Sequence, residues 1–190
     1  MTETVNKELH EEQPVEAMPA SGCSCFLGLG SNLGDRLSYL REAVRKLDSH
    51  PEITVTRKSP VYETSAHTLD GSDGQPSYLN AVVEVITDLD PLALLDVCNS
   101  IERAAGRDRT GGKWAPRTLD IDLLVCGNLV SNTPELQLPH PRIGDRLFVL
   151  RPLADLAPSL YVPLPFDATV SDLLAACRDN GTIREVPEQL

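Results

Sequence analysis

The sequence lacks any long hydrophobic run, which argues against a membrane-spanning helix. No apolar stretch in its 190 residues approaches the roughly 18–20 residues that cross a bilayer. The first twenty residues also lack the apolar segment of a secretory signal peptide. A hydrophobic content of 41% and a mean hydropathy of −0.16 are typical of a soluble globular protein. We therefore expect no membrane partner.

The five cysteines are widely scattered and form no C-x-x-C pair or Cys/His cluster with zinc-ligand spacing. Cys98 and Cys126 stand in apolar contexts, which predicts reduced thiols in the core. Cys23 and Cys25 are the one close pair, and a redox or metal role is the weaker interpretation for them. Without a disulfide framework, the cytoplasm is the expected compartment.

Basic residues are outnumbered, with 17 Lys and Arg against 28 Asp and Glu and a formal net charge of −11. This balance argues against a nucleic-acid-binding surface. Five acidic residues crowd the first twenty positions together with Pro14 and Pro19, and they predict a disordered acidic tail over residues 1–22. We expect the remaining residues, 23–190, to form a single domain.

Five of the 17 basic residues stand close together in one Gly-rich segment with a proline near its end. Between positions 103 and 117 there are five basic side chains and one acid, Asp108. In an acidic protein such a cluster indicates one local anionic ligand. The basic residues are Arg103, Arg107, Arg109, Lys113 and Arg117.

Asp120 and Asp122 follow this segment at the start of an apolar run. The run is typical of a buried strand, and side chains alternate on a strand, so the two carboxylates share one face. An isolated pair of this kind more often faces water. Beside a cluster of guanidinium groups, which bind phosphate, it favours a Mg²⁺ site for a nucleoside triphosphate. The sequence thus indicates a triphosphate site without a P-loop.

Apolar periodicity and turn residues predict the element order β-α-β-β-α-β. The strands Ile53–Tyr62 and Tyr78–Thr87 are separated by an unusually long loop, Ser65–Ser77. This order indicates an α+β protein with a ferredoxin-like βαββαβ two-layer sandwich. The other predicted strands are Cys25–Leu29 and one beginning at Asp120, and the predicted helices follow Asp35 and Asp90.

Beyond the aspartate pair the sequence predicts a C-terminal extension of a hairpin and helices. Gly127 and Asn128 favour a turn, with Leu129 and Val130 as the returning strand. The segment Val170–Cys177 has the pattern of a short amphipathic helix. The final residues are polar.

Tyr78 and Asn80 share one face of their predicted strand, at the mouth of the long loop. An aromatic ring and an amide suit the stacking and recognition of a flat heterocycle. The same pair also occurs in ordinary edge strands, so the residues alone leave both interpretations open. His140 stands between two prolines, where a surface position and a phosphate or nucleobase contact are both compatible with its sequence.

Several stretches together resemble one family, 6-hydroxymethyl-7,8-dihydropterin pyrophosphokinase. The resemblance runs from about Cys25 to about Leu164 and departs from the family pattern at Asn99, Glu135 and Pro141. It rests on five motifs: LGLGSNLGDR, SPVYETS, QPSYLNAVVEV, GRDRTGGKWAPRTLDIDLL and LPHPRIGDRLFVLRPL.

The resemblance implies transfer of the pyrophosphoryl group of ATP to the hydroxymethyl group of the pterin, giving AMP, in folate biosynthesis. It implies that Asp120 and Asp122 hold two Mg²⁺ ions and that Arg107 and Arg117 are catalytic. The implied ATP-binding residues are Glu102, Arg109, Trp114, Arg117, His140 and Arg146. The implied pterin-binding residues are Asn32, Thr64, Tyr78, Asn80, Trp114 and Phe148.

The long loop Ser65–Ser77 and the basic loop Arg107–Arg117 are both polar and Gly-bearing, and we expect them to be mobile lids. We also expect a monomer whose partners are the two small substrates.

Three other functions are alternatives to pyrophosphoryl transfer. A kinase that moves only the γ-phosphoryl group would release ADP. An RNA-binding sheet is disfavoured by the net charge, and a silent nucleotide sensor by the intact aspartate and arginine set.

Overall fold

A computed structural model describes residues 22–65, 76–107 and 116–190. The predicted acidic tail, residues 1–22, lies outside this part except for Gly22. Most of both predicted lids also lies outside it, including Arg109 and Trp114. No helix in the described ranges is long and apolar enough to cross a membrane.

The described residues form one large antiparallel sheet, two small hairpins and four α-helices. The strands are β1 Cys23–Ser31, β2 Ile53–Lys58, β3 Val61–Thr64, β4 Tyr78–Thr87, β5 Asp120–Cys126, β6 Ser131–Asn132, β7 Gln137–Leu138, β8 Tyr161–Val162, β9 Ala168–Thr169 and β10 Ile183–Val186. The large sheet has the order β10-β3-β4-β1-β5, and β2 also pairs with β4. The helices are α1 Arg36–Asp48, α2 Pro91–Ala104, α3 Leu147–Leu156 and α4 Val170–Ala176, with a 3₁₀ turn at Ile143–Asp145.

The single strand predicted over Ile53–Tyr62 is two strands, divided at Ser59-Pro60. Proline has no N–H to contribute to a strand ladder, so pairing stops there. The backbone N–H of Ser59 donates to Val82 O (2.9 Å), and the Ser59 hydroxyl accepts from Val82 N (2.9 Å). Strand β4 therefore pairs with β2 along one half of its length and with β3 along the other.

Helices α1 and α2 cover one face of the sheet. Their first turns are capped as predicted: Asp35 accepts from Ser38 N (3.1 Å) and Asp90 from Ala93 N (2.9 Å). Alternate residues of β1 and β4 face these helices and form the larger core with them. On α2, Leu94 is buried in this core, while Leu92 is 44% exposed.

The opposite face of the sheet is covered by α3 and α4. Phe26, Val82 and Leu124 point to this side and pack in a second core with Val149 and Leu153. The sheet therefore lies between two helical layers, and the predicted two-layer sandwich accounts for only one of them. The sequence prediction missed α3 because Pro152 interrupts its helical pattern.

The C-terminal region contains the expected hairpin and helix, with two differences. Leu129 and Val130 belong to no strand, and the hairpin forms further along between β6 and β7. The polar last residues include β10, which pairs with β3 at the sheet edge. All five cysteines lie in the described part and are free; Cys98 and Cys126 are buried, as predicted.

Glu63 joins this sheet edge to three neighbours. Its carboxylate accepts hydrogen bonds from Arg184 Nη2 (2.8 Å), Ser77 Oγ (3.0 Å) and Arg36 Nη2 (3.0 Å). The bond from Arg184, followed by those from Ser77 and Arg36, lowers the pKa of Glu63 from its usual 4.5 to about 2. Since the folded pKa is depressed, Glu63 stabilises the fold above pH 4.5 and loses that contribution as the pH falls towards about 2.

We predict that Glu63→Gln reduces the loss of stability on acidification. The free energy of unfolding in urea, measured near pH 6 and near pH 3, should fall less in this variant than in the wild type, because the titrating carboxylate is gone. Glu188→Gln, at an exposed C-terminal position, controls for the removal of one negative charge. An equal fall in Glu63→Gln and wild type would contradict the assignment.

Candidate active site

Strand β5 places two carboxylates at one end of the sheet. Ile121 and Leu123 point into the core beneath α1 and α2, so Asp120 and Asp122 face the other side. Their neighbours on β1 are glycines: Gly30 pairs with Asp120 and Gly28 with Asp122. Because these glycines carry no side chains, the sheet surface beside the carboxylates is left open.

A cavity of about 230 Å³ lies on this open surface. A Cβ on Gly30 would lie 3.2 Å from Asn80 Oδ1, so glycine at this position lets the Asn80 side chain approach the strand beside the cavity. Glycine at every second position of a strand is a signal for this close approach that the sequence already carries. The side chains and backbone lining the cavity include Gly28, Gly30, Thr64, Ser65, Tyr78, Asn80, Arg117, Asp120, Asp122, Arg142, Arg146 and Phe148.

Asp120 holds two arginines at the edge of the cavity. Arg107 Nη1 lies 2.6 Å from Asp120 Oδ1, and Arg117 Nη1 lies 2.6 Å from Oδ2. The two arginines therefore meet at one carboxylate, although ten positions separate them in the sequence. Ion pairs of this kind, at partly buried positions, are screened less than pairs on the surface. The basic segment and the aspartate pair thus form one site.

Glu102, near the end of α2, lies directly behind this cluster. Its side chain is 2% exposed, pairs with Arg107 and accepts a hydrogen bond from Ile121 N (2.8 Å). Glu102 therefore fixes both the guanidinium group and strand β5. The resemblance implied a contact with ATP; in the structure the carboxylate is engaged by protein groups, and the ATP contact stays a prediction.

Asp122 has its own pair of neighbours. Arg146 Nη1 lies 3.3 Å from Asp122 Oδ2, and His140 Nε2 lies 3.9 Å from the same oxygen. Burial holds the pKa of His140 below its usual 6.5, against the attraction of Asp122. At neutral pH the imidazole is therefore uncharged. Since Nδ1 accepts from Arg142 N (3.1 Å), the proton lies on Nε2, which faces Asp122.

The described residues that are expected to bind a heterocycle line the same cavity as the carboxylates, apart from Asn32. Tyr78, Phe148, Asn80 and Thr64 all line it. The Asn80 amide donates to Thr64 Oγ1 (2.7 Å), which fixes its orientation. The guanidinium group of Arg146 lies 5.4 Å from the Phe148 ring centre, a cation–π distance. Aromatic faces beside an oriented amide suit a flat polar ring.

Asn32 is predicted to bind the pterin, but the structure gives it hydrogen bonds to the backbone. It is 1% exposed, and its Oδ1 accepts from Arg117 N (2.7 Å) while its Nδ2 donates to Pro76 O (3.4 Å). Its own N–H donates to Arg117 O (3.0 Å). Asn32 thus holds Arg117 in place, and its contact with a pterin stays a prediction. Arg109 and Trp114 lie outside the described residues.

A second cavity, of about 500 Å³, lies across β5 from the first. Asp122 and Arg142 line both cavities, so the two meet at this carboxylate. The sequence analysis did not single out Arg142 as a site residue. The second cavity combines apolar side chains with a few polar ones: Leu95, Ile121, Leu123, Leu136, Glu135, Gln137 and His140.

The sequence pattern of the family described as 7,8-dihydro-6-hydroxymethylpterin-pyrophosphokinase (HPPK) matches residues 26–158. The chain belongs to this family. The match contains every residue that the two cavities share and nearly the whole central sheet. It bears out the resemblance found in the sequence motifs.

Relatives of this pyrophosphokinase family support the assignment over most of the chain. The 2-amino-4-hydroxy-6-hydroxymethyldihydropteridine pyrophosphokinase of Bacillus subtilis is 44% identical over 131 residues, covering 69% of this chain and 76% of the relative. The enzyme of the same name from Methylorubrum extorquens is 41% identical over 159 residues, covering 84% of this chain and 96% of the relative.

Solved structures of the HPPK family share the fold. Plasmodium falciparum HPPK-DHPS with pteroate aligns with a TM-score of 0.64 at 16% identity, over 85% of this chain and 43% of that one. The same protein with pterin and p-hydroxybenzoate gives 0.63 at 17% identity, over 81% and 43%. This chain therefore spans less than half the length of those proteins, and at such identities the likeness concerns the fold alone.

ATP as a co-substrate generally implies Mg²⁺, and the carboxylate pair suits that ion. Within residues 22–65, 76–107 and 116–190, no group of three or more His, Cys, Asp or Glu side chains could hold a metal unaided. Mg²⁺ commonly takes one or two protein carboxylates and completes its shell with phosphate oxygens and water. Asp120 and Asp122 supply such a donor set, so the residues fit the ion.

We predict that Glu102→Ala lowers the free energy of unfolding by about 3 kcal/mol, because the buried Ile121 N–H loses its acceptor and Arg107 loses one of its two carboxylate partners. Urea unfolding measures the loss. Glu135→Ala, which removes an exposed carboxylate, should stay within about 0.5 kcal/mol of wild type. A similar small change in both variants would contradict the buried role of Glu102.

Proposed function

We infer that this chain transfers pyrophosphate from ATP to the hydroxymethyl group of 6-hydroxymethyl-7,8-dihydropterin, giving the pterin diphosphate and AMP, in folate biosynthesis. One observation carries the inference. A cavity with aromatic and amide groups meets a second cavity at Asp122, beside the arginine cluster held by Asp120. A transfer enzyme needs two sites that meet where phosphate charge is bound.

The first cavity is the proposed pterin site. Tyr78 and Phe148 supply the aromatic faces, and Asn80 and Thr64 supply hydrogen-bonding groups for the edge of the ring. At about 230 Å³ the cavity suits one small bicyclic ring better than a nucleotide. A pterin held here directs its hydroxymethyl oxygen towards the carboxylate end.

The second cavity is the proposed site of the nucleoside, with the triphosphate crossing Asp122 towards the arginines. His140 and Arg146 flank that carboxylate and face the phosphate path. A neutral His140 with its proton on Nε2 donates a hydrogen bond without adding charge. We also assign Glu102 to the proposed ATP site, because it pairs with Arg107.

In the transfer, the hydroxymethyl oxygen attacks the β-phosphorus of ATP. The new oxygen–phosphorus bond forms as the bond between the β-phosphorus and the α–β bridging oxygen breaks, AMP leaves, and the hydroxyl proton passes to water. Arg107 and Arg117 stabilise the charge that gathers on the transferred and leaving phosphates. We propose that Arg109 and Trp114 close over the substrates from the same segment.

Two Mg²⁺ ions are proposed, held by Asp120 and Asp122 with the phosphates of ATP. When bound, they neutralise phosphate charge and make the β-phosphorus more electrophilic. Both oxygens of Asp120 pair with guanidinium groups, so an ion held there would displace Arg107 or Arg117 towards the phosphates.

We further propose that the core of the fold is ferredoxin-like and that the chain acts as a cytoplasmic monomer. The order of β4, β1 and β5 with α1 and α2 on one face supports a βαββαβ unit. The free state of the five cysteines suits a reducing compartment.

The decisive experiment incubates purified protein with Mg-ATP and 6-hydroxymethyl-7,8-dihydropterin and separates the nucleotide products. AMP that forms only in the presence of the pterin would establish the acceptor and the pyrophosphoryl transfer. ADP would retain the site but make the enzyme a γ-phosphoryl kinase. A folded protein without nucleotide turnover would overturn the proposal.

We predict that Asp122→Ala reduces kcat by about a thousandfold or more, because it removes a metal ligand at the junction of the cavities. Initial rates at saturating substrates measure the effect. Asp96→Ala, which removes an exposed aspartate from α2, is the matched control and should retain wild-type rates. Activity of Asp122→Ala within about twofold of wild type would exclude the metal role.

A further inference from the structure

The C-terminal residues 179–186, which we call the C-terminal strap, contact two walls of the proposed pterin cavity. They lie beyond the residues 26–158 that match the family. The strap itself does not line the cavity. Its contacts with α3 and with β3 give it a role that neither the motifs nor the sequence analysis assigned.

The first wall is the start of α3, which lacks a cap from its own residues. Arg146 occupies the N-cap position and makes no side-chain capping bond. Instead, Leu147 N donates to Asp179 Oδ2 (3.0 Å), and Gly181 N donates to Asp179 Oδ1 (2.8 Å). Asp179 thus supplies both a hydrogen-bond acceptor and a negative charge where the helix dipole is positive.

This helix end carries part of the cavity. Phe148, in the first turn of α3, and Arg146, just before it, both line the cavity. The first turn of a helix has four N–H groups without partners inside the helix, so it depends on acceptors from elsewhere. The position of Phe148 therefore depends on an aspartate more than thirty positions away in the sequence.

The second wall is the end of β3. Strand β10 pairs with β3 in a register that places Ile183 opposite Thr64. Just beyond, Ser65 N donates to Thr182 O (3.3 Å). Thr64 and Ser65 line the cavity on the side that carries Asn80. The same short strap is therefore bound at its middle to Thr64 and Ser65, and at its first residue to the helix that carries Phe148.

We propose that Asp179 is a positioning residue for the pterin cavity. By joining the start of α3 to the strap that continues the sheet beside Thr64, it fixes the distance between the Phe148 wall and the Thr64 wall. This inference rests on the proposed function, which makes that cavity the pterin site. A flat ring is sensitive to such a distance, because it contacts both walls at once.

The test compares three variants of the full-length chain. Asp179→Ala removes both acceptor oxygens, and Asp179→Asn keeps one. Asp172→Ala is the matched control: Asp172 belongs to the capping box of α4, in the same helical layer, and accepts from Thr169 N (3.2 Å) and Thr169 Oγ1 (2.6 Å). Asp172 does not line the cavity.

Four quantities are measured: the Kd for the pterin by fluorescence, the Kd for a non-hydrolysable ATP analogue, amide exchange in the protein without ligand, and the Tm. In Asp179→Ala we expect the pterin Kd to rise about five- to tenfold and the analogue Kd, to which the neighbouring Arg146 contributes, to rise by a smaller factor. Exchange at Leu147 and Phe148 should accelerate. Asp179→Asn should recover part of the affinity, and Asp172→Ala should leave the pterin Kd unchanged.

An unchanged pterin Kd in Asp179→Ala, or an equal loss of both ligands, would overturn the positioning role. A lower Tm shared by Asp179→Ala and Asp172→Ala, without a selective effect on the pterin, would mark Asp179 as merely structural. Pterin binding by the wild type tests the proposed function separately from the role of Asp179. Failure of the wild type to bind the pterin overturns the proposed function, whereas normal wild-type binding leaves the variants to decide on Asp179.

Discussion

The site depends on two half-buried carboxylates that share one face of β5. In a protein of net charge −11, such a pair is stable only beside concentrated positive charge. Asp120 meets Arg107 and Arg117, while Asp122 meets Arg146. The alternation of the strand sets this arrangement, since it turns the intervening Ile121 into the core.

Much of the site could be predicted because its signals are local. Strand alternation placed Asp120 with Asp122 and Tyr78 with Asn80, and a motif of nineteen residues tied the first pair to the arginines. The residues predicted for the two substrates do line neighbouring cavities, apart from those outside the described part and the buried Asn32 and Glu102. Membership of the family identifies the reaction. The chemistry of the local residues alone had left open whether a pyrophosphoryl group or a γ-phosphoryl group is transferred.

The rest depends on contacts between distant parts of the chain. Glu102 is buried because α2 packs on β5, and the spacing of residues in the sequence does not predict this. The second helical layer depends on α3, a helix with an internal proline and a cap supplied by Asp179. Strand β10 is four residues long and largely exposed, so it has no apolar pattern and forms because β3 offers it an edge. In each case tertiary context determines the structure.

The two glycines beneath the cavity link the stability of the sheet to the binding of a ligand in that cavity. Gly28 and Gly30 lie in β1, between β4 and β5, where glycine loses more chain entropy on folding than other residues and packs fewer atoms. The opposite face compensates with the buried Leu27 and Leu29. A ligand in the cavity restores van der Waals contact above the glycines and binds only the folded chain. The open floor thus makes the unfolding equilibrium of the whole sheet responsive to substrate concentration.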